Sequence, residues 1–287
     1  TVTPVDELRS ALELATDEEL QALTNLLFRP RFNPVDYLQG LDPVVVQSGP
    51  RHQWLDQLEQ RFRFLAADGF TVLNGQARYL TYRQSLVQIC RYLKLTYSKD
   101  WSTEDLEAEV FLRLLDAAWN RLSSQDRDRI HRQLRQALAE SPHYRQLPLP
   151  LQHNPLGILA KGGVALTLSS VVRPWLLHHI ARQIALNAAR YELARQTLTR
   201  GGGVALAQVQ SRLALSMASR GVAVNAARYG VTRSVLGVLG PAMWTWFLAD
   251  LGWRAIATNY GRVIPAVFTL AQIRLTRAAD SWELVPG

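Results

Sequence analysis

Acid–base, nucleophilic or metal chemistry in this chain would have to be built from six histidines, one cysteine and scattered carboxylates. The histidines are His52, His131, His143, His153, His178 and His179, and none forms a metal-ligand pair at helical spacing with a supporting carboxylate. His178 and His179 are adjacent and therefore leave a helix on different faces. Cys90 ends the run Leu86-Val87-Gln88-Ile89-Cys90 and reads as a small buried apolar residue. A single cysteine also excludes a disulfide framework and a cysteine-based zinc site. There is no Gly-x-Ser-x-Gly elbow, dinucleotide fingerprint or His-Glu-x-x-His run. Gly201-Gly202-Gly203 is not followed by the Gly-Lys-Ser/Thr of a phosphate loop and reads as a helix break. The sequence thus predicts a non-enzymatic protein with no catalytic residue, no cofactor, no metal and no small-molecule substrate.

Charge is the stronger signal. The 287 residues are 48% apolar and 20% charged, a globular composition, with a net charge of +8 and a calculated pI of about 10.0. The surplus is not spread evenly. Residues 1–150 hold 18 Lys and Arg against 20 Asp and Glu, a net of −2, whereas residues 151–287 hold 14 against 4, a net of +10. The C-terminal cations are arginines except for Lys161, and they come singly. Arg182, Arg190, Arg200, Arg212, Arg220 and Arg228 recur along Ala/Leu-rich stretches and would suit phosphates of lipid or nucleic acid. No RNA-stacking or helix-turn-helix signature accompanies them, so nucleic acid ranks last among partners.

No stretch alternates with period two, and the fold class expected is all-α. Thr16-Asp17-Glu18-Glu19 is a capping box that should start a helix at Asp17. Residues 1–28 form this leader, and 29–51, with Pro30, Pro34, Pro43 and Pro50, form a connection. A helical domain follows over 52–150. Within it, Leu55, Leu58, Phe62 and Leu65 mark a helix from Trp54 to about Ala67. It should pair with a second helix from about Arg78 to Leu95. Ser102-Thr103-Glu104-Asp105 caps a third, with Leu106, Val110, Leu112, Leu114, Leu115 and Trp119 inward, and Ser124 opens a polar helix to about Ala139. Pro148 and Pro150 mark the boundary with the basic C-terminal region, 151–287.

That region is Gly/Ala/Trp-rich and helical in pattern. Leu166 to Thr199 should be helical with Pro174 kinking it or marking its break, and Val204 to Tyr229 carries small residues that allow close helix approach. Ser234 to Trp253 is apolar, bounded by Arg233 and Arg254, and interrupted by Pro241 and Asp250. It barely reaches the about 20 residues a membrane span requires, so a buried helix is favoured over a simple span. Trp244, Trp246 and Trp253 beside Arg254 also suit a water–lipid interface. The shorter apolar runs, Gly162 to Val172 and Val263 to Ile273, suit amphipathic or re-entrant elements. The start Thr1 to Glu7 has neither the basic nor the apolar region of a secretory leader.

Four pieces of the chain resemble the bacterial YaaW family. They are Ala15-Thr16-Asp17-Glu18-Glu19-Leu20, Arg91-Tyr92-Leu93-Lys94-Leu95, the block from Ser102 to Trp119, and Tyr260-Gly261-Arg262-Val263-Ile264-Pro265-Ala266-Val267. Family members carry a Tyr-Arg-Val-Thr-Ile-Pro-Ala-Val run near the C-terminus; here Gly261 separates the Tyr and Arg, and the Thr is missing. The family's central helices are distantly similar to chaperones that assemble ubiquinol-cytochrome c reductase. The arm Leu27-Phe28-Arg29-Pro30 is closest to members from photosynthetic bacteria. The resemblance implies membrane-complex biogenesis, at a thylakoid or inner membrane from the cytoplasmic side, and supplies no catalytic residues.

The expected function is an assembly or stabilising factor whose N-terminal domain docks a client while the basic C-terminal region attaches to an anionic lipid surface or a membrane protein complex. The contact residues expected are Arg233, Trp244, Trp246, Phe247, Trp253, Arg254 and Arg262. Apolar burial there would contribute about 25 cal/mol per Å2 and each arginine about 1 kcal/mol near an anionic surface. The competing expectations are a membrane-permeabilising stress or defence effector and a nucleic-acid-binding protein.

Overall fold

A computed structural model describes residues 7–28, 42–67, 80–120, 122–161, 168–169, 171–199 and 260–277. The protein is all-α, with no strand among the described residues. The elements are α1 (Glu7–Leu14), α2 (Asp17–Phe28), α3 (Pro43–Ser48), α4 (Arg51–Ala66), α5 (Tyr82–Tyr92) and α6 (Thr103–Trp119). There follow α7 (Ser124–Ala139), a 3-10 turn (Pro142–Gln146), α8 (Leu149–His153), α9 (Gly157–Lys161), α10 (Val172–Thr199) and α11 (Tyr260–Arg277).

The caps set the helix starts. In α2 the Thr16 hydroxyl accepts from Glu19 N at 3.3 Å and the Glu19 carboxylate accepts from Thr16 N at 2.8 Å. Ser102 and Asp105 make the same reciprocal pair ahead of α6. A third box, Thr81 with Gln84, starts α5 at Tyr82, later than the apolar spacing alone suggests. The Pro-rich connection contains α3, because Asp42 caps it through Val44 N at 2.9 Å and Pro43 takes the first turn, where no backbone donor is needed. Pro174 likewise does not kink α10. It lies in the first turn, beyond Ser169, whose hydroxyl accepts from Val172 N at 3.2 Å.

Around this frame α11 is the central element. It packs against α1, α2, α4, α6 and α10, and each of residues 262–273 is buried. The run Val263 to Ile273 is therefore not a surface element; it is a core helix buried on every side, with Thr269 and Gln272 among its buried residues and Pro265 inside it. Phe111 of α6 stacks on Phe268 with ring centroids 5.0 Å apart, and Phe62 of α4 meets Tyr82 of α5 at 5.7 Å. Cys90 is wholly buried, and burial pushes its thiol up to about 12. Among the described residues no helix is long and apolar enough to cross a membrane. The predicted helix Val204–Tyr229, the break at Gly201–Gly203 and the Ser234–Trp253 segment lie outside the described residues.

One backbone conformation stands apart. After α5 the chain turns through Lys94 at φ 55°, the only left-handed non-glycine among the described residues. Leu95 N donates back to the Cys90 carbonyl at 2.8 Å, a helix ending that favours glycine at the left-handed position. Replacing Lys94 by Gly removes the Cβ clash and adds chain entropy to the unfolded state, for an expected net stabilisation of about 0.5–1 kcal/mol. A rise in the urea midpoint of Lys94→Gly checks this.

Candidate functional site

Polar groups enter the core of this bundle where the C-terminal region meets the N-terminal helices. On α11, Arg274 Nε donates to the Glu107 carboxylate of α6 at 2.8 Å, and Tyr82 OH donates to the other Glu107 oxygen at 2.6 Å. The same guanidinium donates to the Glu7 carbonyl at 2.7 Å and to the Ser10 hydroxyl at 3.4 Å. Thr103 Oγ1 donates to the Glu7 carboxylate at 3.0 Å. One turn on, Arg277 pairs with Glu19 at 2.7 Å and donates to the Leu14 carbonyl. On α10, Arg173 pairs with Asp105 and lies 3.8 Å from Glu109.

This arrangement is suited to fastening helices. Glu107 is 3% exposed and burial holds its carboxyl above the ordinary carboxylate range despite Arg274 beside it. Burial and the neighbouring Glu107 raise the Tyr82 phenol well above its usual value, so it acts as a neutral donor. Among the described residues no group of three or more His, Cys, Asp or Glu is placed to hold a metal ion.

A second cluster lies between α10, the 3-10 turn and the end of α11. Trp175 meets the His143 ring at 5.7 Å and the His179 ring at 5.1 Å, and His178 and His179 lie 5.3 Å apart. His178 Nδ1 donates to the Leu275 carbonyl at 2.8 Å, which fixes the tautomer of the neutral ring. Burial, then His178 and Arg182, lower the His179 pKa to about 4.

On the surface, residues 91–101 between α5 and α6 carry three cations, Arg91, Lys94 and Lys99, against one carboxylate, Asp100. All three cations are exposed, while Tyr92, Tyr97 and Trp101 are half-buried against the core. Arg91 Nε donates to Tyr97 OH at 2.9 Å, and Arg83 donates to the Lys99 carbonyl at 2.6 Å and to the Trp101 carbonyl. Tyr92 meets Tyr260, the first residue of α11, at a ring distance of 4.6 Å.

Of the contact residues expected from sequence, Arg233, Trp244, Trp246, Phe247, Trp253 and Arg254 lie outside the described residues. Arg262 is 2% exposed and turned into the bundle, where it donates to the Leu27 carbonyl at 3.4 Å. Arg61, whose guanidinium lies over Phe28 and Phe64, donates to the same carbonyl at 3.2 Å. Both cations, from α4 and α11, reach the last turn of α2, where unpaired carbonyls concentrate negative partial charge. Sequence reading missed the Glu107–Arg274–Tyr82 network. The signal was present as two carboxylates, Glu107 and Glu109, within the apolar run of α6 that is buried around its whole circumference. Comparison with known proteins adds no relative: no family model matches the chain, and no curated protein or solved structure matches it.

Two outcomes test the interior. Arg274→Met strands Glu107 in the core and is expected to destabilise by about 3–5 kcal/mol, whereas the double variant Arg274→Met with Glu107→Leu recovers much of that loss; urea unfolding of the three proteins decides it. His179 titrates at about 4 when folded, so the unfolded chain takes up its proton first. Its contribution is intact above an ordinary histidine pKa of about 6.5 and is lost as pH falls from there towards about 4. The raised carboxyls of Glu19 and Glu107 act in the opposite sense. A His179→Gln variant should therefore lose less stability than the parent between pH 6.5 and 4, measured by thermal melts.

Proposed function

We propose that the protein is a non-enzymatic, membrane-associated interaction protein, an assembly or stabilising factor for a membrane protein complex. The observation that carries the reading is in the sequence: the apolar segment Ser234–Trp253, with Trp244, Trp246, Phe247 and Trp253, is bracketed by Arg233 and Arg254 and leads within a few residues into α11. The packing of α11 supports it, because whatever that segment attaches to is thereby fastened to a well-packed helical body. The resemblance to the YaaW family, with its distant likeness to assembly chaperones, points the same way, and its nearest members suggest a thylakoid or inner-membrane setting.

The interior ion pairs narrow which cations are available. Arg173, Arg274 and Arg277 are engaged with acids of the N-terminal helices, and Arg262 is buried. The external role therefore falls to other arginines of the basic region, Arg233 and Arg254 among them. Reversal of both to Glu is expected to reduce recovery of the protein with native membranes at least tenfold, at about 1 kcal/mol or more per site. The circular dichroism spectrum should stay unchanged. Undiminished recovery overturns the reading. Gentle solubilisation and tagged capture should bring down one membrane complex; dye release from loaded vesicles would instead mark a permeabilising effector.

A further inference from the structure

The left-handed turn at Lys94 is an unusual place for a lysine. Glycine occupies such positions without steric penalty, and asparagine tolerates them. A non-glycine residue in this conformation is uncommon and is a pointer to a role for its side chain. Lys94 is exposed, as are Arg91 and Lys99, and the segment holds two of the three lysines of the whole chain. Tyr92, Tyr97 and Trp101 of the same segment are half-buried, amphipathic side chains packed against the core. The loop is held in shape by Arg83 on the Lys99 and Trp101 carbonyls and by Arg91 on Tyr97.

Position gives this patch its partner. Through Tyr92 it touches Tyr260, so it lies at the end of the bundle where the chain arrives from the arginine- and tryptophan-bearing segment. We infer that the turn from Arg91 to Trp101 is a second contact surface for an anionic bilayer, its cations meeting lipid phosphates and its aromatic side chains resting at headgroup level. This rests on the membrane reading proposed above and assigns to it a surface on the folded body. Exposed lysines next to Tyr and Trp are the combination that settles at a water–lipid boundary. A nucleic acid would be met by the same cations; the sequence leading into Tyr260, with its tryptophans and bracketing arginines, is what favours lipid.

The test is flotation of the full chain with vesicles of phosphatidylcholine alone and with a third phosphatidylserine. The parent should float with the anionic vesicles and much less with the neutral ones. Lys94→Gly combined with Lys99→Gln should weaken binding about 25-fold, roughly fivefold for each cation removed. Its urea midpoint should not fall, so that lost binding cannot be ascribed to unfolding. Lys94→Asn, also neutral and tolerant of the turn, should match Lys94→Gly in binding. Equal flotation of parent and variants overturns the contact surface while leaving the membrane reading standing. A parent that floats with neither vesicle overturns both. Lysine-dependent binding of single-stranded RNA by a parent indifferent to vesicles overturns the lipid assignment in favour of nucleic acid.

Discussion

Everything described in this bundle depends on burying α11. A helix that is mostly apolar around its circumference has no stable place at a water-exposed surface, and residues 262–273 find theirs by being enclosed by α1, α2, α4, α6 and α10. Enclosure also draws Arg274 and Arg277 away from water, at a desolvation penalty of several kcal/mol per ion unless each meets an anion in good geometry. Glu107 supplies a hydrogen-bonded anion to Arg274 at 2.8 Å, and Glu19 lies 2.7 Å from Arg277 as its ion-pair partner. Much of the interior polar chemistry follows from that requirement, including the raised carboxyl of Glu107 and the donor role of Tyr82.

The carboxylates used for this purpose are economical in number. Glu19 closes the capping box of α2 and pairs with Arg277; Asp105 closes the box of α6 and pairs with Arg173. A cap fixes where its side chain can be, because its partner is a backbone N–H, and a carboxylate so fixed loses little further freedom when a guanidinium arrives. The opposite charges of the two halves thus have a meaning inside the molecule. Part of the acidic half's charge is the receiving side for arginines of the basic half, so a net charge of +10 over residues 151–287 overstates what that region can offer to an outside partner.

The all-α class and the N-terminal helices were legible because their signals are local. Capping boxes at Thr16 and Ser102 and the stripe through Leu55, Leu58, Phe62 and Leu65 act within one or two turns, and the helices start and face inward accordingly. The signals that misled were those whose meaning depends on distant partners. Pro174 reads equally as a kink or a break until the helix start is placed at Val172, and Val263–Ile273 reads as a surface element while its enclosing helices are unknown. Arg262 was taken for an outward cation on the same grounds; the last turn of α2, which receives it, is more than 230 residues earlier in the chain. The expected contact residues from Arg233 to Arg254 lie outside the described residues.

Stability and attachment make different demands on the two ends of α5. At its start, Thr81 and Gln84 satisfy backbone donors on each other and leave nothing to gain. At its end, Lys94 holds a conformation that costs about 1–2 kcal/mol in a residue with a Cβ, in a turn where the backbone asks for glycine. A residue chosen for the fold alone would relieve that strain. On the contact surface proposed for this turn, that lysine is where the fold yields to a requirement at the surface, in a segment that meets Tyr260 at the start of α11 through Tyr92.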